Sequence, residues 1–349
     1  MFTFIVNIML NKKTYILLLL ALVVSSASIA QSGLLKLIFP PVDSVITRYD
    51  TTKVDPKLDQ ITLRAFTGYN GNELMLKSND ETKFYSANSK YKLGFGIGYR
   101  WLILNAALGS PFSDKYNNHK GETFSFDIQM NIYAPRLQTD LRVQQIDGYY
   151  QKTQDEIYTN FGNEGPFIIR EDLKLRAIGG GVTYTFNRSY LHKHGFDQTK
   201  TMKESGGTLL VGARFGYVKC FSDSMLFKQS NNESIKSIRS FGGGFSLGGA
   251  YTFLITKRLF FSIHGVINGA VKNVDSKYLN PASTPKKQQV NFSISPTIRS
   301  SFGYNYLNHF IGLYGVFDNS LYNRIDGYQV DYFFTTIKLI YAYRLKVNN

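Results

Sequence analysis

The sequence predicts an all-β protein: a transmembrane antiparallel up-and-down β-barrel of about twelve strands, with ten to fourteen compatible with the pattern. Three observations predict it. Long stretches alternate apolar and polar residues with a period of two, the signature of strands with one face in each environment. The connections between them alternate between tight turns and long polar loops, as expected when every second connection lies at the same end of a barrel. Beyond one apolar run near the N-terminus, no segment approaches the roughly 18–20 apolar residues of a membrane helix.

Composition agrees. The 349 residues are 15% aromatic and carry 30 Gly but only 9 Pro, which does not suit disorder. Charged residues make up 19%, below the roughly 25% of soluble domains. Mean hydropathy is −0.18, too low for a helical membrane protein. One Cys excludes an internal disulfide framework and a Cys-cluster metal site. No cofactor is expected. Lys and Arg number 40 against 25 Asp and Glu, a formal charge of +15.

In chain order, residues 1–30 read as a cleaved secretory signal peptide: a basic Lys12-Lys13 pair, an apolar run from Thr14 to Val24, and small residues Ser28 and Ala30 before the cut. Residues 31–58 are a periplasmic N-terminal lead, and 59–349 the barrel. Strands are expected near 60–68, 91–98, 101–109, 122–134, 137–150, 172–187, 206–219, 239–255, 258–271, 287–303, 305–317 and 330–345. The clearest is the fourth, where Phe124, Phe126, Ile128, Met130 and Ile132 alternate with Thr123, Ser125, Asp127, Gln129 and Asn131. Tight turns fall at Tyr99-Arg100, Ala134-Pro135-Arg136, Thr256-Lys257 and Gly303-Tyr304-Asn305. Long loops are expected at 69–90, 110–121, 151–171, 220–238, 272–286 and 318–329. The connection 188–205 is long yet lies at the short-turn end. A secreted soluble β-sandwich binding protein is the alternative fold. Strands beyond ten residues, against roughly 5–6 in soluble sheets, favour the barrel.

One region carries a resemblance. Tyr184-Thr185-Phe186-Asn187-Arg188-Ser189, then Phe196-Asp197-Gln198, then Lys203-Glu204-Ser205-Gly206-Gly207-Thr208 resemble a signature of a domain-of-unknown-function family of outer-membrane β-barrels from Bacteroidota. The polar-aromatic strand from Asp140 to Gly148-Tyr149-Tyr150 is similar to that family as well, and the likeness extends from about Asp50 to Arg344. Phe186, Asn187, Ser189, Phe196, Gln198, Ser205 and Gly206 thus mark a periplasmic family segment. The chain departs from the pattern at Tyr190–His194, where it has two His. The resemblance implies place and architecture and no activity.

If the apolar faces meet lipid, the opposite phase faces the lumen. That assigns inward positions to Arg64, Lys92, Asp127, Asp140, Arg142, Lys174, Arg176, Arg214, His264, Arg299, Lys338 and Arg344, since a Lys or Arg on the lipid face costs roughly 2–4 kcal/mol at the midplane. Such an interior is either a narrow channel for small, anionic solutes or a packed structural and interaction barrel. The Gly179-Gly180-Gly181 and Gly242-Gly243-Gly244 runs are expected to serve barrel curvature. Gly94-Phe95-Gly96-Ile97-Gly98 lies within a strand and is no phosphate loop. An enzyme is not expected. The one candidate is a lipid hydrolase, because Ser262 and His264 share a strand face. His192, His194 and Asp197 lack a convincing metal spacing. The expected partners are outer-membrane lipids, lipopolysaccharide, the barrel-assembly machinery and an unidentified protein. The dispersed basic residues do not suit nucleic acid.

Overall fold

The computed structural model describes residues 52–55, 59–78, 81–109, 118–134, 136–153, 167–187, 201–228, 234–278, 288–325 and 327–347. The signal segment and most of the lead lie outside these residues.

Sixteen strands are described: β1 (Val54–Asp55), β2 (Gln60–Lys77), β3 (Thr82–Ser86), β4 (Tyr91–Tyr99), β5 (Leu102–Gly109), β6 (Phe124–Tyr133), β7 (Leu137–Gln151), β8 (Ile169–Thr185), β9 (Thr201–Met202), β10 (Gly206–Phe221), β11 (Phe227–Lys228), β12 (Ser234–Leu254), β13 (Leu259–Tyr278), β14 (Gln288–Tyr306), β15 (His309–Ile325) and β16 (Tyr328–Lys346). Twelve of them form the wall. From β2 through β4–β8, β10 and β12 to β16, each pairs antiparallel with the next. The ring closes where Gln60 of β2 pairs with Lys346 of β16. Closure gives every wall strand a neighbour on each side, although the β14–β15 ladder stops at Thr297↔Asp318 while both strands run on. No helix among the described residues is long and apolar enough to cross a membrane.

Tight turns lie at one end. Two of them place a non-glycine residue at positive φ, Arg100 and Leu307. At the other end the strands run past the expected boundaries. β2 continues to Lys77, β13 to Tyr278, and β15 to Ile325 before a tight turn with Gly327 at φ +81°. The expected long loop at 318–329 is therefore strand and turn. Three wall strands, β4, β5 and β6, are shorter. Above them β3 bridges β2 to β7 through Leu74↔Tyr85 and Ser86↔Tyr150, so the ring tightens toward the loop end.

The long 188–205 connection returns through β9, which pairs with β1 as Val54↔Met202. Lys53 and Glu204 form an ion pair of 2.8 Å beside it. The N-terminal lead is thereby tied to the turn end of the barrel.

Along the longer strands, such as β2 and β8, polarity reverses at mid-height. In the lower half the outward face is apolar: Phe245 is 77% exposed, with Leu209, Ile267, Val290, Phe292 and Ile294 forming the same belt. Tyr251, Phe253, Tyr304, Tyr306 and Tyr341 rim this belt toward the turn end and are exposed. In the upper half the inward face is apolar and the outward face charged. Leu173 and Leu175 are 0% exposed inside, while Lys174 and Arg176 alternate with them outside. The lower half is built for an apolar surround and the upper half for water.

Candidate functional site in the barrel lumen

Three layers fill the lumen. At the loop end, inward residues from every quarter of the ring make one apolar core. It includes Leu74 and Leu76 of β2, Ile146 and Tyr149 of β7, Cys220 of β10, Val274 of β13 and Tyr332 and Phe334 of β16. At the turn end, Phe66, Phe260, Phe310, Ile340 and Ala342 pack together, with the Phe260 and Phe310 rings stacked at 6.1 Å. Arg344 closes the lowest inward position, donating to Asn305 Oδ1 at 2.5 Å.

Between them lies a polar layer whose bonds cross the lumen. Arg142 of β7 donates to Asp127 of β6 from Nε at 3.0 Å and also from Nη2. Its guanidinium carbon sits 3.6 Å from the Phe334 ring centroid on β16. Lys92 Nζ is 3.9 Å from the same Asp127, both side chains almost fully buried. The Tyr332 hydroxyl lies 2.8 Å from both Asn72 Oδ1 and Gln144 Oε1 and shares its one proton between them, linking β16, β2 and β7. Arg214 of β10 reaches Thr297 Oγ1 of β14 at 3.0 Å and pairs with Asp318 of β15 at 3.6 Å. Cross-lumen polar bonds of this kind are worth most where solvent is excluded.

Below this layer the lumen holds a cavity of about 230 Å³. Arg64, Arg142, Arg214, Lys272, Arg299 and Lys338 line it, with Asp140 and Asp318 as the lining carboxylates. One part of its wall is bare backbone. Gly216 of β10 pairs with Gly179 of β8 on one side and Gly242 of β12 on the other, so three inward glycines lie in a row. A Cβ on Gly216 would meet no heavy atom within 4 Å, and on Gly179 only the Phe215 carbonyl at 3.5 Å. The glycine runs expected to serve curvature thus also leave space in the lumen. Gly244 does mark a close approach of backbones, since a Cβ there would overlap the Gly269 carbonyl.

The structure distributes the remaining sequence-derived residues as follows. Arg64, Asp127, Asp140, Arg142, Arg214, His264, Arg299, Lys338 and Arg344 occupy the inward phase of their strands. Lys174 and Arg176 do not. They stand outside at the loop end, Lys174 paired with Asp223 at 2.9 Å and Arg176 with Asp147. The rule that polar means inward fails there because the reversed polarity puts the apolar phase inside. Ser262 shares a 2.7 Å hydrogen bond with Thr252 Oγ1 inside the wall, and both side chains are wholly buried. Of the family segment, Asn187 donates from its backbone to Thr208 Oγ1 at 2.9 Å and from Nδ2 to the Gly207 carbonyl at 3.0 Å. Ser205 Oγ accepts from Leu254 N at 2.8 Å, Gly206 pairs with Thr252, and Phe186 packs edge-on against Tyr184. Ser189, Phe196 and Gln198, with His192, His194 and Asp197, lie outside the described residues. Lys272 and Asp318 were missed by sequence because both fall in stretches that look like polar loops.

A second polar cluster sits at the loop end. Asp172 accepts from Arg170 Nε at 2.9 Å, Ser222 Oγ at 2.5 Å and Ser224 Oγ at 2.5 Å. Burial works to raise its pKa, but hydrogen bonds from Arg170, Ser222 and Ser224 outweigh burial and hold the carboxyl well below the usual carboxylate range.

These features define a closed twelve-stranded antiparallel β-barrel with an apolar outer belt and a filled lumen. The chain belongs to the family described as Domain of unknown function (DUF4421), whose model matches residues 48–345. No curated protein matches it. Among solved structures it is similar to the outer membrane protease OmpT from Escherichia coli, at 7% identity and a TM-score of 0.36, covering 85% of this chain and 99% of that one. It is also similar to the toluene transporter TodX of Pseudomonas putida, at 7% identity and a TM-score of 0.27, over 83% and 91% of the two chains. The attachment invasion locus protein Ail of Yersinia pestis matches at 10% identity and a TM-score of 0.23, over 82% and 99%.

Proposed function

We propose that this protein is a closed, non-conducting barrel of the Gram-negative outer membrane, in keeping with the resemblance to Bacteroidota barrels, and that it works as an interaction module. The apolar core across the lumen carries this reading. Side chains from β2, β7, β8, β10, β12, β13 and β16 meet there, so the described residues pack an apolar layer across the loop end. The exposed apolar belt with its aromatic rim supports placement in a bilayer, where lipid covers it at no cost. Above the belt, the charged outer wall of the upper half suits contact with lipopolysaccharide head groups and with a protein partner. On the periplasmic side, the β1–β9 pair offers a second surface, anchored to the barrel by Lys53 and Glu204. A cleaved signal peptide and the barrel-assembly machinery would deliver the chain. The wholly buried Ser262, bonded to Thr252, counts against the Ser262–His264 hydrolase alternative.

The test is electrical. Refolded protein in a planar bilayer is expected to stay silent while migrating as a heat-modifiable folded band. Stepwise conductance from that folded band would replace this reading with a solute channel.

A further inference from the structure

We infer that the central chamber is a binding site for a small organic anion with a compact apolar body. The first argument is charge. Six cationic side chains line the cavity against two carboxylates. Arg214 pairs with one of those, Asp318, and Arg142 is held by Asp127 just outside the lining. Asp140 is the remaining lining carboxylate; just outside the lining Asp331 faces Lys272 and Asp127 also faces Lys338, so Arg299 is the lining cation whose compensation is left to Asp140 and the already paired Asp318. Among the described residues neither Arg299 nor Lys338 ion-pairs with a carboxylate. Arg299 Nε is buried without a hydrogen-bond partner, and Lys338 Nζ lies 5.0 Å over the Phe66 ring. Like charges gathered in a water-poor interior repel one another strongly, and a bound anion relieves that cost.

The second argument is space. About 230 Å³ exceeds the roughly 150 Å³ cavity that admits benzene. Gly179 and Gly216 leave an open, side-chain-free stretch of wall, with the Lys272 side chain lying over the neighbouring Gly242, and Ile103, Val316 and Phe334 supply apolar lining. Charge around a flat apolar slot fits an anionic group carried on a body about one ring in size. A two-chain phospholipid presents the same anionic group but does not fit this volume.

The third argument is access. The β14–β15 ladder runs from Tyr306↔His309 only to Thr297↔Asp318, although both strands continue beyond it. Pro296, which has no N–H to donate, stands where the ladder ends. Ser293 and Ser295 beyond that point line the chamber. Among the described contacts, the side chain of Asn291 spans the seam to the Arg324 carbonyl at 2.6 Å, so entry of a small molecule there breaks a side-chain bond rather than a ladder.

The test uses the full barrel folded in detergent micelles, titrated with phenyl phosphate, benzoate, neutral benzamide and dioctanoyl phosphatidic acid. Calorimetry and thermal shift provide the readouts. Saturable binding of phenyl phosphate or benzoate is expected, at least about tenfold tighter than benzamide. An Arg299→Gln/Lys338→Met variant is expected to lose about tenfold or more in affinity. Gly216→Leu, whose Cβ has no heavy atom within 4 Å and whose side chain extends into the chamber, is expected to abolish binding in a barrel that still shows heat-modifiable migration. Equal binding of benzamide, binding of phosphatidic acid alone, or no saturable binding by a folded wild type would each overturn the proposal. A conducting barrel that binds these anions would overturn the closed-barrel reading and leave the site standing.

Discussion

Arg142 and Phe334 lie on nearly opposite walls of the barrel and meet inside it, the guanidinium carbon 3.6 Å from the ring centroid. The same Arg142 holds Asp127, which also faces Lys92. One side chain thus joins a cation–π contact to a buried ion pair and ties β6, β7 and β16 together. Arg142→Leu leaves Asp127 without its hydrogen-bonded partner, facing only the more distant Lys92 and Lys338, and is expected to cost about 3 kcal/mol. Adding Asp127→Asn should recover part of that loss. Urea unfolding in lipid vesicles, followed by fluorescence of the single Trp101, measures both. Additive effects would mean the pair is not coupled.

The reversal of polarity along β8 predicts opposite sensitivities at neighbouring positions. Leu175→Ala opens a cavity in the loop-end core and should cost about 2–5 kcal/mol. Lys174→Ala removes only a partly exposed pair with Asp223 and should cost less than about 1 kcal/mol. In the lower half the sensitivity moves outward, so Phe245→Lys should cost about 2–4 kcal/mol and reduce vesicle insertion. Comparable losses at Lys174 and Leu175 would mean that the loop end is not a packed core.

Backbone spacing makes two glycines on adjacent strands behave differently. Gly216→Ala points a methyl into open space and should leave folding yield unchanged. Gly244→Ala forces β12 away from the Gly269 carbonyl of β13 and should lower stability by about 1–3 kcal/mol. Refolding yield on unboiled gels compares them directly.

Acid should loosen the loop end through Asp172. Its folded pKa lies below the ordinary carboxylate value of about 3.9, so its contribution to stability is fully present above that value. It is lost as pH falls toward the folded pKa. Proteolysis of the loop end should therefore rise below about pH 4. Asp172→Asn, which cannot ionise, should show that susceptibility at neutral pH and change less on acidification.

The chain's ring of twelve was legible because strands such as β6 keep one apolar and one polar face over their whole lower length. So were tight turns at Arg100 and between Leu254 and Leu259. The extensions of β2, β13 and β15 were not legible. Above the belt, Leu74 and Leu76 turn inward while Glu73 and Lys77 turn out, and a stretch of mixed polarity with Asn and Ser looks like loop. The same reversal misplaced Lys174 and Arg176. Individual inward charges could be counted from phase, but their partners could not. Arg214 finds Asp318 on a strand far away in sequence, and only the closure of the ring brings them together. The row of Gly179, Gly216 and Gly242 likewise depends on register between three strands, which composition does not reveal.

The central claim is that side chains fill this lumen, and single-barrel conductance tests it most directly. Folded wild-type protein in a planar bilayer at high voltage should give no steps, while a variant carrying Leu74→Ser, Leu175→Ser and Val274→Ser in the loop-end core should begin to flicker. Steady stepwise current from the folded wild type would contradict the account.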